Sequence, residues 1–167
     1  MGFIRRRWRG LVLFIVNNFL KGTRFFGIKR RLLNSCSIYI GKDTKVVGPF
    51  KVSNCSDIKI GDNCWIGADF TVLGDGTVVI GDNCDFAPEV ALVTGSHEIG
   101  EQERRAGEGV LFEIKIGNGC WFGARSSVLG NTIVEDMVVV GTSALVNKNV
   151  KANVVVAGVP AKVIKEL

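Results

Sequence analysis

From residue 40 onward, large apolar residues return every six positions. Ile40, Val46 and Val52 are followed by Ile60, Ile66 and Val72, then by Ile80, Phe86 and Leu92. After a gap the series resumes at Ile116 and continues through Phe122, Val128, Val134, Val140, Val146, Ala152, Gly158 and Ile164. Sixteen of these eighteen positions hold Ile, Val, Leu or Phe. Glycine follows directly at Gly41, Gly61, Gly67, Gly81, Gly117, Gly123 and Gly141. The fourth residue onward is mostly small: Thr44, Cys64, Cys84, Cys120, Ser126, Thr132, Ala144. An amphipathic helix repeats every 3.6 residues and a half-buried strand every 2, and neither period fits. One large and one small inward site per six residues describes a chain wound round three flat sides. Hexapeptide repetition of this kind is the signature of a parallel β-helix. Residues 38–167 are therefore predicted to form an all-β body of about six coils, stacked at ~4.8 Å into a column roughly 29 Å tall.

The series breaks once on a large scale. Leu92 and Ile116 are 24 residues apart where six would continue the pattern. The inserted stretch is charged, glycine-bearing and aperiodic, and is read as a loop over about 95–114. Long loops in tight folds usually carry function. His97, the only histidine of the chain, lies at its base.

Residues 1–37 form a separate element. The apolar run Leu11–Val16, broken at Asn17-Asn18 and resumed at Phe19-Leu20, predicts one or two helices over 3–33. About 20 apolar residues are needed to span a bilayer, and this run is about half that. No small-x-small cleavage site follows it, which argues against a secretory signal. Residues 1–33 hold nine basic side chains and no acidic one. The remainder, with 12 basic and 16 acidic residues, is net negative, although the chain totals +5. The basic character thus belongs to the arm. Two roles fit it: a helical cap on the body, or peripheral contact with an anionic membrane surface. A nucleic-acid partner would want basic residues spread over a folded face, and none is expected.

Composition removes further classes. One histidine cannot build a multi-histidine zinc site, which excludes a γ-type carbonic anhydrase reading. The five cysteines are odd in number and include no Cys-x-x-Cys pair, so neither a disulfide framework nor a cysteine metal site is expected. Cys64, Cys84 and Cys120 fall on small inward positions, which explains them as packing in a reducing, cytoplasmic setting. A structural or ice-binding β-helix would show a flat Thr-rich face and no charged loop.

The hexapeptide register, Ser96-His97 at the start of the insertion, Ile116–Ala124 after it, and the terminal Ala157-Gly158-Val159-Pro160-Ala161-Lys162 resemble the left-handed parallel β-helix acyltransferases. The similarity covers residues 40–167 and is greatest toward maltose, galactoside, nodulation-factor and surface-polysaccharide O-acetyltransferases. The left hand comes from the resemblance alone, since periodicity cannot show it. The resemblance implies a homotrimer, with acetyl-CoA and a carbohydrate acceptor meeting between neighbouring columns, and no catalytic metal. It places the catalytic histidine at His97 and a tryptophan beside the site at Trp121. Gly123, Ala124, Thr142 and Ser143 follow the pantetheine, and Lys148, Lys162 and Lys165 stand at the nucleotide end. Asp75 matches an acidic acceptor position and is assigned with Trp65 to acceptor binding. The sugar-binding asparagine of the galactoside enzymes falls on Gly67, and residues 1–33 lack a clear counterpart of the maltose enzymes' acceptor segment.

The chemistry suits such a set. A hydroxyl needs its proton removed before it attacks a thioester, and a neutral imidazole does this near neutral pH. Backbone N–H groups near Gly123-Ala124 are expected to stabilise the oxyanion. The implied activity is acetyl transfer to a sugar hydroxyl of a surface polysaccharide or lipid-linked glycan, in the cytoplasm or at the inner membrane face. Serine, xenobiotic (chloramphenicol-like) and amino-sugar N-acetyl transfer are the alternatives on the same fold. A serine acetyltransferase usually carries a large helical N-terminal domain, which residues 1–37 are not expected to supply.

Overall fold

The computed structural model describes residues 3–167. Helices α1 (Phe3–Phe19) and α2 (Phe26–Ser35) precede a three-sided parallel β-solenoid of about six coils. The first face is built from Ile38–Ile40, Asp57–Ile60, Thr77–Ile80, Glu113–Ile116 and Thr132–Val134. The second face begins with Lys45–Val46, Trp65–Ile66, Asp85–Phe86 and Trp121–Phe122, and ends with Val139–Val140 and Val154–Ala157. The third holds Phe50–Val52, Phe70–Leu73, Ala91–Val93, Ser127–Leu129 and Leu145–Val146. Each strand pairs with the equivalent strand one coil away, as in Ile38 opposite Ile58 and Ile60 opposite Ile80.

The interior follows the six-residue series. Ile40, Ile60, Ile66, Ile80, Phe86, Leu92, Ile116, Phe122, Val128, Val134, Val140 and Val146 are all buried. Phe50, Phe70, Phe86 and Phe122 make a continuous aromatic column, with successive centroids 5.7, 5.3 and 4.8 Å apart. Burying such rings supplies much of the apolar area that drives folding.

The small positions do more than fill space. Thr44 Oγ1 donates to the Gly61 carbonyl at 2.7 Å and accepts from the Cys64 N–H at 2.9 Å. The Cys64, Cys84 and Cys120 thiols repeat the donation one coil on, to the carbonyls of Gly81 (3.2 Å), Gly117 (3.1 Å) and Glu135 (3.2 Å). Beside them runs a ladder of Asx oxygens. Asp62 accepts from the Lys42 N–H at 2.7 Å, Asp82 from Asp62 at 2.7 Å, and Asn118 from Asp82 at 2.9 Å. Glycine precedes each rung because the coils close here: a Cβ on Gly61 would lie 2.6 Å from the Gly81 carbonyl. The corner is thereby closed by its own polar groups, as buried backbone requires.

The series fails at its end. Ala152, Gly158 and Ile164 are not interior residues; Val150 and Val156 are. Only four residues separate Val146 from the next inward position, so Val134 stands opposite Val150 and Val140 opposite Val156. The two non-aliphatic members of the series, Ala152 and Gly158, are among the three carried off register by this shortening. The chain then reverses, and Lys162–Glu166 pairs antiparallel with Val154–Ala157 instead of adding a coil. The insertion, too, is more regular than its sequence suggests: Gly95–Ile99 and Ala106–Leu111 form an antiparallel β-hairpin.

The arm caps the first coil. Val12, Leu13, Val16 and Leu33 join the core. Asn17 binds both backbone groups of Phe50, donating to its carbonyl at 2.9 Å and accepting from its N–H at 2.8 Å. Two of the nine basic residues are struts. Arg9 is fully buried and donates to the Ser56 carbonyl at 2.8 Å. Lys29 is buried and donates to the carbonyls of Gly22 (2.8 Å) and Val47 (3.0 Å), with its ammonium 4.8 Å from the Phe26 ring centre. Among the described residues, no helix is long and apolar enough to cross a membrane.

Candidate active site

Every irregularity of the six-residue register falls at one corner, where the third face turns into the first. Val52 to Ile60 and Val72 to Ile80 take eight residues each, Leu92 to Ile116 takes 24, and Val146 to Val150 takes four. The extra residues of successive coils therefore stack. They bring Ser53, Asp75 and His97 to one cavity of about 560 Å³, closed on its far side by Gly109 and Leu111 of the hairpin. That volume lies in the range of small-molecule sites. Leu73, Asp75, His97 and Leu111 are exposed, so the cavity opens to solvent.

Glycines make room for the hairpin. A Cβ on Gly74 would lie 2.6 Å from the Gly95 nitrogen, and one on Gly76 would lie 2.6 Å from the Thr94 carbonyl oxygen. Gly74 also has φ +102°, a conformation that favours glycine. The Gly74-Asp75-Gly76 corner thus lets both strands of the hairpin leave the column directly over Asp75.

His97 sits on the hairpin's first strand, opposite Gly109. Its Nδ1 lies 2.9 Å from the Gly107 carbonyl oxygen. A carbonyl can only accept, so Nδ1 carries the proton and Nε2 of the neutral ring is left with its lone pair. Asp75 accepts a hydrogen bond from the Ser53 hydroxyl, and Ser53 Oγ in turn accepts from the Cys55 N–H at 3.2 Å. A base and a fixed carboxylate thereby face the same space. Ser53 was not legible as a site residue from its own neighbours. The signal was the phase of the eight-residue steps, which matches that of the large insertion.

The remaining predicted residues lie elsewhere on the column. Gly123 and Ala124 turn the corner between second and third faces, and Thr142 and Ser143 turn the same corner one coil on. The Gly123 N–H donates to the Val140 carbonyl at 2.7 Å, which removes it as an oxyanion donor. Ala124 and Thr142 N–H groups have no protein acceptor among the described residues. A Cβ at Gly123 would lie 2.6 Å from the Thr142 nitrogen, so glycine keeps this strip of backbone open. Open amides in line fit a chain of amide groups such as pantetheine. Trp121 is exposed on the second face, flanked by Asp85 and Val139. Trp65 occupies the same sheet two coils earlier, and its ring meets Phe26 of α2 edge-on at 6.0 Å. The structure gives Trp65 a packing contact with the arm and no place in the His97 cavity. Lys148 lines a smaller cavity of about 240 Å³ at the last coils. Lys162 and Lys165 are exposed on the final antiparallel strand. These lysines have no ion-pair partner among the described residues, whereas Lys151 is held by Glu135 at 2.8 Å.

Four of the five cysteines are buried, and hydrogen bonding to Cys120 and Cys64 together with burial pushes the Cys84 thiol up. No group of three or more potential metal ligands occurs among the described residues.

No protein-family model matches the chain. Over 81 residues, it is 37% identical to galactoside O-acetyltransferase of Escherichia coli K12, a segment covering 48% of this chain and 40% of that protein. The crystal structure of a maltose O-acetyltransferase from Clostridium difficile 630 superposes with a TM-score of 0.86 at 26% identity, covering 98% of this chain and 87% of the other. A galactoside acetyltransferase solved in complex with coenzyme A superposes with a TM-score of 0.84 at 29% identity, covering 99% and 84%. In fold and in part of its sequence the chain is similar to these O-acetyltransferases. The sequence match spans less than half the length of the curated galactoside enzyme.

Proposed function

We propose that this chain transfers an acetyl group from acetyl-CoA to a sugar hydroxyl of a surface polysaccharide or lipid-linked glycan. The observation that carries the proposal is the His97 imidazole, fixed by the Gly107 carbonyl with Nε2 free and facing a cavity shared with Asp75. Nε2 accepts the acceptor hydroxyl's proton as the oxygen attacks the acetyl carbon. The proton then returns from the imidazolium to the departing thiolate, leaving an ester and a thiol. Acetyl-CoA supplies the activated acyl carbon; the chain supplies position and proton transfer. Asp75 holds an acceptor hydroxyl, and Ser53 holds Asp75. The open cavity suits an acceptor that continues beyond one sugar ring.

The donor's elements lie along another corner. Ala124 and Thr142 offer free N–H groups, Trp121 an exposed ring, and Lys148, Lys162 and Lys165 unpaired positive charge for phosphates. One chain does not bring this corner to His97, which supports a homotrimer whose sites form between neighbouring columns.

The test is mass spectrometry of candidate acceptors incubated with acetyl-CoA. A gain of one acetyl group on a glycan hydroxyl, labile to mild base, is expected. Acetylation confined to amines, or to serine or chloramphenicol-like alcohols, would replace the proposal.

A further inference from the structure

Helix α1 is apolar on two separate sides. One side packs on the column through Val12, Leu13 and Val16. The other carries Ile4, Trp8, Leu11 and Ile15 at spacings of four, three and four, with Phe3 and Phe14 beside them. Of these, Phe3 is 73%, Ile4 83%, Leu11 49% and Phe14 56% exposed. A helix apolar on both sides is normally covered on both. The folded chain covers one side and only the Trp8–Ile15 edge of the other, where the Trp8 indole donates to the Ser35 hydroxyl of α2 at 3.1 Å.

The charge around the open side says what covers it. Arg5, Arg6 and Arg7 are exposed at the start of α1, and Lys21, Arg24 and Arg31 are exposed further along the arm. Residues 1–33 contain no acidic side chain. Arginines in a first helical turn oppose the helix dipole, so local helix stability does not account for them. Aromatic and aliphatic side chains flanked by arginines match the chemistry of an anionic bilayer surface. The apolar groups enter the acyl boundary and the guanidinium groups stay at the headgroups. We infer that the open side of α1 docks the protein on an anionic lipid surface, lying along it without crossing. The docked helix sits beside the His97 cavity. Arg9 on its inner side is bonded to Ser56, and Ser53, three residues earlier, lines that cavity. An acceptor anchored in the same bilayer would be delivered to Asp75 and His97; this consequence rests on the proposed acetyl transfer, and the docking itself does not.

The experiment is co-sedimentation of the full chain with phosphatidylglycerol–phosphatidylcholine vesicles and with phosphatidylcholine vesicles, without acetyl-CoA. Binding to the anionic vesicles that weakens with added salt is expected, with much weaker binding to the neutral ones. Arg5→Gln, Arg6→Gln and Arg7→Gln combined should lower anionic binding on the order of a hundredfold. Leu11→Ser with Phe14→Ser should also lower it, while the circular dichroism melt stays close to that of the parent because neither side chain belongs to the core and Phe14 touches only the Phe19 ring of its own helix end. Equal binding to both vesicle types, or binding indifferent to both sets of substitutions, would overturn the inference. A Leu11/Phe14 variant that changes the sedimentation of lipid-free protein and leaves vesicle binding intact would instead make this side a contact between copies. None of these readouts depends on catalysis, so docking and acetyl transfer fail separately.

Discussion

His97 and Asp75 come to one cavity from two coils, and the proposed transfer gives them different work. The ring is oriented by a backbone carbonyl of its own hairpin, which leaves one nitrogen free to take a proton. The carboxylate is oriented by a serine of the coil below, which suits it to holding a hydroxyl in place. Asp75→Asn keeps the size and an acceptor oxygen but removes the charge. It should lower kcat/KM for the glycan by about tenfold to a hundredfold, the usual worth of a hydrogen bond to a charged group. The loss should fall mainly on KM for the acceptor, with KM for acetyl-CoA unchanged. Steady-state kinetics with each substrate varied in turn measures this. The residue scale is also where sequence reading reached least far. His97 stood out because it is unique and sits at an insertion. Ser53 is an ordinary serine, visible only once the coils are in register. Gly123 was expected to offer its N–H, but the parallel ladder uses that group, and only backbone coordinates reveal it.

At the scale of elements, the six-residue period defined faces, corners and interior from Ile40 to Val146 because each position repeats the same packing problem. It failed where the repeat itself changes. A two-residue shortening after Val146 moved the interior to Val150 and Val156, and the final segment folded back as an antiparallel strand. The insertion was legible as an interruption but not as a hairpin, since its strands pair with each other and bury little. The arm was legible as helical, yet the burial of Arg9 and Lys29 was not, because a basic residue in a sequence reads as a surface one. Burial pushes the Lys29 ammonium down to about 8. Below that pH the fold holds a buried cation at a cost. Between about 8 and 10.5 the folded amine is neutral while the unfolded chain still binds the proton, so stability rises with pH across this window. Lys29→Met lacks that titration and leaves the Gly22 and Val47 carbonyls without their donor, costing about 1–3 kcal/mol near neutral pH. Denaturant unfolding of both forms at several pH values should show the parent gaining on the variant from pH 8 to 10.5. A constant difference would contradict the assignment.

The whole molecule separates three tasks by place. The arm closes the first coil and carries the positive charge. The corner between third and first faces holds the cavity that the proposal assigns to the acceptor. The corner between second and third faces and the last strands hold the groups that the proposal assigns to a long, phosphorylated donor. A single column keeps the two corners apart, so the account requires neighbours. Analytical ultracentrifugation should give about 54 kDa, three times the 18.1 kDa chain. A stable monomer that is fully active would contradict shared sites.

The central claim is that His97 removes the acceptor's proton. It is tested most directly by comparing the turnover of the parent chain and His97→Ala with acetyl-CoA and a glycan acceptor identified by mass spectrometry, alongside acetyl-CoA binding by calorimetry. The account predicts a fall in kcat of ~10²–10⁴, the range typical for loss of a general base, with acetyl-CoA affinity largely kept. Near-normal turnover by His97→Ala would contradict it.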